Sequence, residues 1–356
     1  MKKIAVLCNY RLLPERVGGM DHFFWLFDAQ CKTAGYQIDW FFPAISRHQG
    51  YANLDLFSSQ EGNVEMYFLN HFAQNNYTHV FTHFIEISTP FFKRFKSTYD
   101  AKVIAVDHNP RPVGGYSLKK RIEKRLKGWL YSGAIDQFIG VSEYSRQQLI
   151  KELGNQIQSR THVIFNGLPT AQLVKRTDTH FRGSFIVACH LRKDKGIQDL
   201  IEAIRIVVHR LPQVPFSIEI YGEGYYGDSL EQMVQDYQLE NYITFKGSVS
   251  HLYALYAQYD YLIHPSHGET FCYTVVEALL CRLPVITTKN QGNVLGLVEE
   301  PINGFLYDVG NVDQLATLLQ NLIANQKVLD NSVTYNTKVD ALTLAQMVHH
   351  YFQLTQ

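Results

Sequence analysis

Short apolar runs that alternate with helical patterns are the feature that most constrains the fold of this chain. The runs are rich in β-branched and aromatic residues, and the segments between them carry apolar residues at helical spacing. Strands and helices that alternate in this way form βαβ units, which build parallel sheets. We therefore predict an α/β protein. The runs predicted as strands are KIAVLCN, QIDWFF, HVFTHF, KVIAVDH, QFIGVS, HVIFN, FIVACHL, FSIEIYG, YITFKG, YLIHP and LPVITT.

A polar segment near the middle divides these runs into two groups. GLPTAQLVKRTDTHFRGS, residues 167–184, has no clear periodicity and is typical of a linker. The chain has 356 residues, enough for two cores. We predict domains at 1–168 and 169–338, followed by a terminal amphipathic helix within 339–356. Open α/β domains bind ligands at the carboxyl ends of their strands, so we expect a cleft there.

Charge and cysteine usage exclude several classes of protein. The 33 Lys and Arg residues balance 33 Asp and Glu residues, which argues against a nucleic-acid binder. The five cysteines form no CxxC pair, which favours reduced thiols over a disulfide framework or a zinc site. The first apolar run is too short for a signal peptide, and no window approaches eighteen apolar residues. A cytoplasmic protein is therefore expected.

The stretch HGETFCYTVVEALLCRLPV contains two carboxylates, Glu269 and Glu277, eight residues apart. On one continuous helix they would lie roughly 80° apart, so they would not form a dyad on one face. The preceding YDYLIHPSHG predicts a strand and a turn, and YTVVEALLC predicts a helix that ends before Pro284. Glu269 would then precede the helix and Glu277 would lie about one turn inside it. This arrangement indicates a ligand site. The alternative is that Glu269 caps the helix and Glu277 is a paired buried charge.

An ordered set of motifs runs along nearly the whole chain. These are the first strand with Gly18-Gly19, VSEYSRQQL, FNG, HLRKDKG, YGEG, FKGSV and the E-x7-E pattern at Glu269 and Glu277. With these motifs the chain resembles the retaining glycosyltransferases of family 4. The resemblance implies the GT-B architecture, in which two Rossmann-like domains face each other across a cleft and the C-terminal helix returns to the first domain.

The resemblance assigns roles to charged residues of the second domain. Glu277 would accept both ribose hydroxyls of a nucleotide-sugar donor, and Glu269 would hold hydroxyls of the donor sugar. Lys195 would stabilise the diphosphate as it leaves. Family members usually carry Arg five residues before that lysine, where this chain has His190, and Arg192 could compensate for the difference. The alternative for the run RKDK is a solvated turn.

Further donor contacts follow from the same resemblance. His108 lies where the family often places a histidine near the donor sugar, although a lone histidine is otherwise mostly structural. Amides at the helix N-terminus would receive the diphosphate. Thr270 and Cys272 stand where the family commonly has glycine, which would narrow the pocket. The full set expected to contact the donor is Gly18, Gly19, His190, Val249, Thr270, Phe271, Cys272, Tyr273 and Glu277.

The expected activity is transfer of a sugar, with retention of configuration, from a UDP-linked donor to a hydroxyl of a glycan or lipid-linked glycan. Bacterial surface polysaccharide synthesis is the expected setting. No cofactor and no metal are expected, since the chain has no Asp-x-Asp motif. The alternative is a catalytically silent GT-B homologue that acts as partner or chaperone of an active transferase. A two-lobed sugar-binding protein is disfavoured, because such proteins are usually exported.

Two motifs suggest other ligands, and we discount both. GEGYYG follows a strand, but the acidic residue at the spacing of a dinucleotide site, Glu240, precedes the next strand instead of ending it. The histidine pairs His264 with His267 and His349 with His350 come without a recognisable third metal ligand. The sequence therefore predicts neither NAD nor metal binding.

A basic amphipathic segment, SLKKRIEKRLKGWLY, raises the question of a membrane partner. It combines six cations within Lys119–Lys127 with an apolar helical face, and PFFKRFK upstream also mixes Phe with cations. Such helices bind anionic lipid surfaces, which would place the protein at the inner leaflet. The alternative is an ordinary sheet-covering helix with a basic outer face.

Overall fold

The structure is a computed structural model that describes residues 2–14, 17–112, 114–178, 180–212, 214–249, 252–326, 329 and 337–356. The chain divides into two compact units. The first consists of Met1–Pro169 together with Leu342–Gln356, and the second is Thr170–Ala341. Each unit is built on one sheet of parallel strands.

The first unit has a seven-stranded sheet in the order β3-β2-β1-β4-β5-β6-β7. The strands are β1 (Lys3–Cys8), β2 (Gln37–Phe42), β3 (Asp55–Ser58), β4 (His79–His83), β5 (Lys102–Asp107), β6 (Gln137–Gly140) and β7 (Thr161–Val163). The helices are α1 (Gly19–Thr33), α2 (Val64–His71), α3 (Pro90–Lys96), α4 (Leu118–Tyr131), α5 (Glu143–Leu153) and the terminal α13 (Leu344–Gln353).

The terminal helix packs on the first helix of the same unit. The ring of Tyr351 lies 4.8 Å from that of Phe23 and 6.3 Å from that of Phe27, measured between centroids. All three side chains are almost fully buried, so this aromatic contact joins α13 to the core beside β4. The prediction that the C-terminal helix returns to the first domain is confirmed.

The second unit has a six-stranded sheet in the order β10-β9-β8-β11-β12-β13. The strands are β8 (Ser184–Ala188), β9 (Ser217–Tyr221), β10 (Ile243–Gly247), β11 (Tyr261–His264), β12 (Val285–Thr288) and β13 (Gly304–Tyr307). The helices are α6 (Ile197–Arg210), α7 (Gly227–Asp236), α8 (Leu252–Leu255), α9 (Tyr273–Leu280), α10 (Gln291–Val294), α11 (Val312–Ala324) and α12 (Thr337–Asp340).

Every run that the sequence predicts as a strand overlaps one in the structure, so the α/β prediction is confirmed. The structure adds β3 and β13, two edge strands that the prediction missed. Among the described residues, no helix combines the length and the apolar character needed to cross a bilayer.

The strand orders locate the candidate sites. In each sheet the chain starts in the middle, runs to one edge and returns to the other side, so the order reverses between β1 and β4 and between β8 and β11. Helices on either side of such a point diverge and leave a crevice at the carboxyl ends of the strands. Each unit therefore has one place where a ligand is expected to bind.

Candidate active site

In the second unit, the crevice beyond β8 and β11 brings a lysine and a glutamate together. After β8 a short helical turn ends at Lys195, and Gly196 then adopts a left-handed conformation with φ 69°. A Cβ at Gly196 would overlap the carbonyl oxygen of Pro265, so glycine allows this turn to approach the loop after β11. Lys195 Nζ thereby contacts the Oε1 atom of Glu269.

The electrostatics of Glu269 follow from its neighbours. Burial alone raises the pKa of this carboxyl, but the hydrogen bond from His264 and the charge of Lys195 outweigh burial and lower the pKa to about 2. His264 Nε2 lies 3.4 Å from Glu269 Oε1, and the Ser266 hydroxyl donates to the same oxygen at 3.4 Å. Lys195 itself is 7% exposed. The crevice thus holds an ionised carboxylate beside a cation at neutral pH.

The loop that carries Glu269 is fixed from two sides. The Thr288 hydroxyl and the Asn293 side-chain amide both donate to the carbonyl of Ser266, at 2.8 and 2.7 Å. A Cβ at Gly292 would overlap the carbonyl oxygen of Glu269, so the two backbones are in close contact. Because these contacts are made mainly by buried atoms, the carboxylate is held in a preorganised position.

Glu277 lies on the second turn of α9 and has a different environment. The buried hydroxyl of Tyr256 donates to its Oε2 atom at 2.8 Å. Burial raises the pKa of Glu277 to about 7, and the hydrogen bond from Tyr256 only partly opposes that rise. Among the described residues, no cation forms an ion pair with this carboxylate. In the described part of the chain Glu277 is thus a buried charge without an ion pair, unlike the alternative of a paired buried charge, and the carboxylate keeps the capacity to accept ligand hydroxyls.

The residues between the two glutamates form the start of α9. Thr270, Phe271 and Cys272 are 6%, 8% and 3% exposed, so these residues pack inside the unit. The Thr274 hydroxyl donates to the carbonyl of Ala188 at 3.1 Å, which ties the start of α9 to the end of β8. Cys272 is the N-cap, and its own side chain makes no capping hydrogen bond. Glu269 lies three residues before the N-cap, and its carboxylate contacts Lys195 and Ser266.

Four more of the predicted site residues lie nearer the surface. Arg192 is exposed, and its guanidinium pairs with Asp194 at 2.8 Å. His190 is also exposed, and its ring makes no hydrogen bond within the described part of the chain. Val249 and Tyr273 are half-buried. The structure joins Lys195, but neither Arg192 nor His190, to the carboxylate.

His264 acquires two neighbours that the sequence did not indicate. Its Nε2 atom lies 3.2 Å from Cys272 Sγ, and ligand atoms of His264, Glu269 and Cys272 lie within 4.8 Å of one another. However, Lys195 already contacts the carboxylate, and burial raises the pKa of the Cys272 thiol well above its usual value. A metal would have to displace the ammonium group and a tightly held proton, so this cluster suits hydrogen bonding better than ligation.

In the first unit, His108 follows β5 and pairs with His83 at the end of β4. The Nε2 atom of His108 lies 3.0 Å from His83 Nδ1, and its ring stacks on Phe84 with centroids 4.2 Å apart. Burial lowers the pKa of His108 to about 3 and that of His83 well below its usual value. Both rings are neutral at neutral pH, so His108 can exchange hydrogen bonds but supplies no positive charge.

Gly18 and Gly19 lie at the reversal point of the same unit, where Gly18 precedes α1. The amide of Gly18 donates to Asp21 Oδ2 at 2.8 Å. A Cβ at Gly18 would come no closer than 3.9 Å to that carboxylate, and its φ of −131° is open to any residue. The space beside Gly18 is therefore open, as a ligand contact through the backbone requires.

Sequence reasoning missed the residues that support the two glutamates. Tyr256 precedes β11 in a segment without a motif, and only the fold brings its hydroxyl to Glu277. His264 and Ser266 were considered only as part of HPSH, although His264 ends a strand at the point where the sheet order reverses. The one available signal was the position of these two residues at the end of an apolar strand and just beyond it.

Comparison with known proteins finds a family match that covers most of the second unit. Residues 182–339 match the family described as "Glycosyl transferases group 1". Among curated proteins, the GtfA subunit of the UDP-N-acetylglucosamine–peptide N-acetylglucosaminyltransferase of Streptococcus pneumoniae is 28% identical over 176 residues, which is 48% of this chain and 34% of that protein. The chain spans about half or less of the length of the curated relatives it matches.

Solved structures extend the likeness in fold to the whole chain. The structure of HepE of Anabaena in complex with UDP aligns with 99% of this chain over 99% of its own length, with a TM-score of 0.74 and 19% identity. The lipopolysaccharide outer core galactosyltransferase WaaB covers 99% of this chain and 98% of its own, with a TM-score of 0.73 and 15% identity. These neighbours have the GT-B fold, so the predicted fold class is confirmed.

Proposed function

We propose that this chain is a retaining glycosyltransferase. The premise is the match of residues 182–339 to the family of glycosyl transferases group 1. The enzyme would move a sugar from a UDP-linked donor to a hydroxyl of a glycan or lipid-linked glycan, as in the synthesis of bacterial surface polysaccharides. Transfer would proceed without a metal ion. The protein would work in the cytoplasm, at the inner face of the membrane.

The observation that carries the proposal is Glu277, a buried carboxylate without a cationic partner among the described residues. Burying such a group costs free energy, and a fold that needed only packing there would be better served by an apolar side chain. A ligand with two neighbouring hydroxyls, such as a ribose, would use the acceptor capacity that the protein leaves available.

The remaining charged groups suit the other parts of the same donor. The ammonium group of Lys195 and the amides at the start of α9 would neutralise the diphosphate. Glu269 would accept hydroxyls of the sugar. In the reaction, the bond between C1 of the sugar and the diphosphate breaks, and the acceptor oxygen bonds to C1 on the same face. The acceptor proton passes to the departing phosphate oxygen, so no covalent intermediate with the enzyme is needed.

The comparisons support the choice of donor and acceptor. The streptococcal relative carries UDP-N-acetylglucosamine in its name, and HepE was solved with UDP. WaaB is named for its action on the outer core of lipopolysaccharide. A uridine nucleotide and a surface glycan are therefore the first substrates to test.

Calorimetric titration with UDP-, GDP- and dTDP-linked sugars tests the proposal. We expect a UDP-sugar to bind at least tenfold more tightly than the others. Glu231→Gln is a suitable control, because Glu231 is an exposed carboxylate on α7. A protein that binds none of these donors, or binds them equally well after Glu277→Ala, would contradict the proposal. Tight binding without turnover would favour the catalytically silent homologue.

A further inference from the structure

Helix α4 presents large apolar side chains to solvent. Leu118, Ile122, Leu126 and Trp129 are 71%, 61%, 54% and 75% exposed, and Leu130 is 37% exposed. At 100° per residue these five positions fall within about one third of the helix circumference. They form one continuous apolar row, most of which is exposed.

The opposite side of α4 faces the body of the unit. A Cβ at Gly128 would overlap the carbonyl of Leu153 at the end of α5, so the two helices are in close contact there. Lys124 Nζ lies 2.9 Å from Glu152, and Lys127 Nζ lies 2.7 Å from Glu86. The sequence-based alternative, a sheet-covering helix with a basic outer face, is therefore wrong. The apolar row points outward and these two cations face inward.

The remaining cations of the helix lie within or beside the apolar row. Lys119, Arg121 and Arg125 are exposed, and none of them forms an ion pair within the part of the chain that the structure describes. Lys120, by contrast, pairs with Glu123 at 3.0 Å. The outward surface of α4 thus combines apolar side chains with three unpaired positive charges.

We propose that this surface docks α4 on an anionic lipid bilayer. The apolar row would enter the boundary between headgroups and acyl chains, with the helix axis in the membrane plane. Lys119, Arg121 and Arg125 would contact the anionic headgroups. Docking rests on the proposed function only in that the membrane would carry the lipid-linked acceptor to which it brings the first unit.

Charge complementarity favours a bilayer over a second copy of this chain. In a symmetric dimer the same surface occurs on both partners, so the three cations of one copy would face the three of the other. An anionic membrane instead supplies negative charge along the full length of the helix. Helix α3 offers no comparable surface, because Phe91, Phe92 and Phe95 are buried.

Vesicle sedimentation of the full chain tests the proposal. We expect binding to phosphatidylcholine vesicles that contain phosphatidylglycerol, little binding to phosphatidylcholine alone, and release as salt rises from 0.1 to 1 M, where the Debye length falls from about 10 to about 3 Å. Emission from the exposed Trp129 should shift to the blue on binding, and Trp129→Phe should remove that shift while the buried Trp40 stays unchanged.

Two sets of substitutions separate the outward charges from the inward ones. Each basic residue near an anionic surface strengthens binding about fivefold, so K119Q/R121Q/R125Q should weaken it roughly 100-fold. K120Q/K124Q/K127Q removes the same charge from the same helix and should weaken it much less. L118S/I122S/W129S should reduce binding at least about tenfold. The control L26S/I45S/M66S alters side chains of the same unit that are 46%, 37% and 40% exposed.

The outcomes distinguish this proposal from the proposed function. Hydrolysis of a UDP-sugar in solution should be unchanged in K119Q/R121Q/R125Q. Loss of hydrolysis in this variant would show that the variant is misfolded, and it would not count against docking. A wild-type chain that ignores anionic vesicles at low salt overturns the proposal. A dimer that L118S/I122S/W129S dissociates, without vesicle binding, would assign the surface to a second copy and also overturns it.

Discussion

Replacement of Glu277 by glutamine should make the protein more stable and a poorer binder of UDP. Burial raises the pKa of this carboxyl from 4.5 to about 7, which corresponds to about 3 kcal/mol against the ionised form. The folded-state pKa lies above the unfolded value, so the ionised carboxylate destabilises the fold progressively as pH rises from about 4.5 to about 7. Glutamine keeps the shape and can still accept the hydrogen bond from Tyr256. At pH 8 the variant should gain about 2–3 kcal/mol, a rise in Tm on the order of 5 °C.

Binding should change in the opposite direction. Hydrogen bonds to a charged acceptor contribute about 1.5–3 kcal/mol, so Glu277→Gln should weaken UDP binding roughly 10- to 100-fold at pH 8. In the wild type Glu277 becomes protonated below its pKa of about 7 and then no longer offers a charged acceptor. The affinity for UDP at pH 6 should therefore be about tenfold below its value at high pH. The variant should show no such dependence on pH.

Differential scanning calorimetry without nucleotide and titration calorimetry with UDP measure the two effects on the same samples. Glu231→Gln provides the control for loss of a carboxylate from an exposed position of the same unit. A Glu277→Gln protein with a lower Tm and unchanged UDP affinity would show that Glu277 supports packing, and it would refute the assignment to ribose.

The other predictions concern the charged groups beyond β8 and β11. Lys195→Ala should lower kcat about 10²- to 10³-fold in a UDP-sugar hydrolysis assay. Activity equal to that of the wild type would exclude a role of Lys195 in charge stabilisation. Glu269→Gln should lower kcat more than UDP affinity, because UDP carries no donor sugar. The folded-state pKa of Glu269, about 2, lies below its unfolded value, so its contribution to stability should disappear as pH falls from about 4.5 towards 2 in wild type but not in that variant. Since Arg192 pairs with Asp194, Arg192→Ala should change kcat less than Lys195→Ala, and the reverse order would show that Arg192 turns to the diphosphate.

The sequence was sufficient to predict the sheets, because buried parallel strands are continuous apolar runs. QIDWFF and YLIH lie in strands as expected, and Glu269 and Glu277 occupy the loop and the helix assigned to them. DLFS and GFLY were missed because they are short edge strands, and DLFS contains only two apolar residues. A local pattern of this size cannot be distinguished from a loop.

Side-chain contacts could not be read from the sequence. The hydrogen bond from Tyr256 to Glu277 and the contact of Cys272 with His264 depend on how the segments before and after β11 pack on each other. The orientation of α4 could not be predicted from the sequence either. Its pattern gives an apolar side and a basic side, but which side faces the protein depends on Glu86 and Glu152, which lie in other elements.

The stereochemistry of the first product tests the central claim most directly. Hydrolysis of the best-bound UDP-α-sugar can be followed by proton NMR before the free sugar mutarotates. Transfer with retention to water predicts that the α-anomer appears first, together with UDP, and that Lys195→Ala slows both signals equally. Initial release of the β-anomer would contradict the retaining mechanism, and the absence of UDP release from any donor would contradict the assignment of the crevice as an active site.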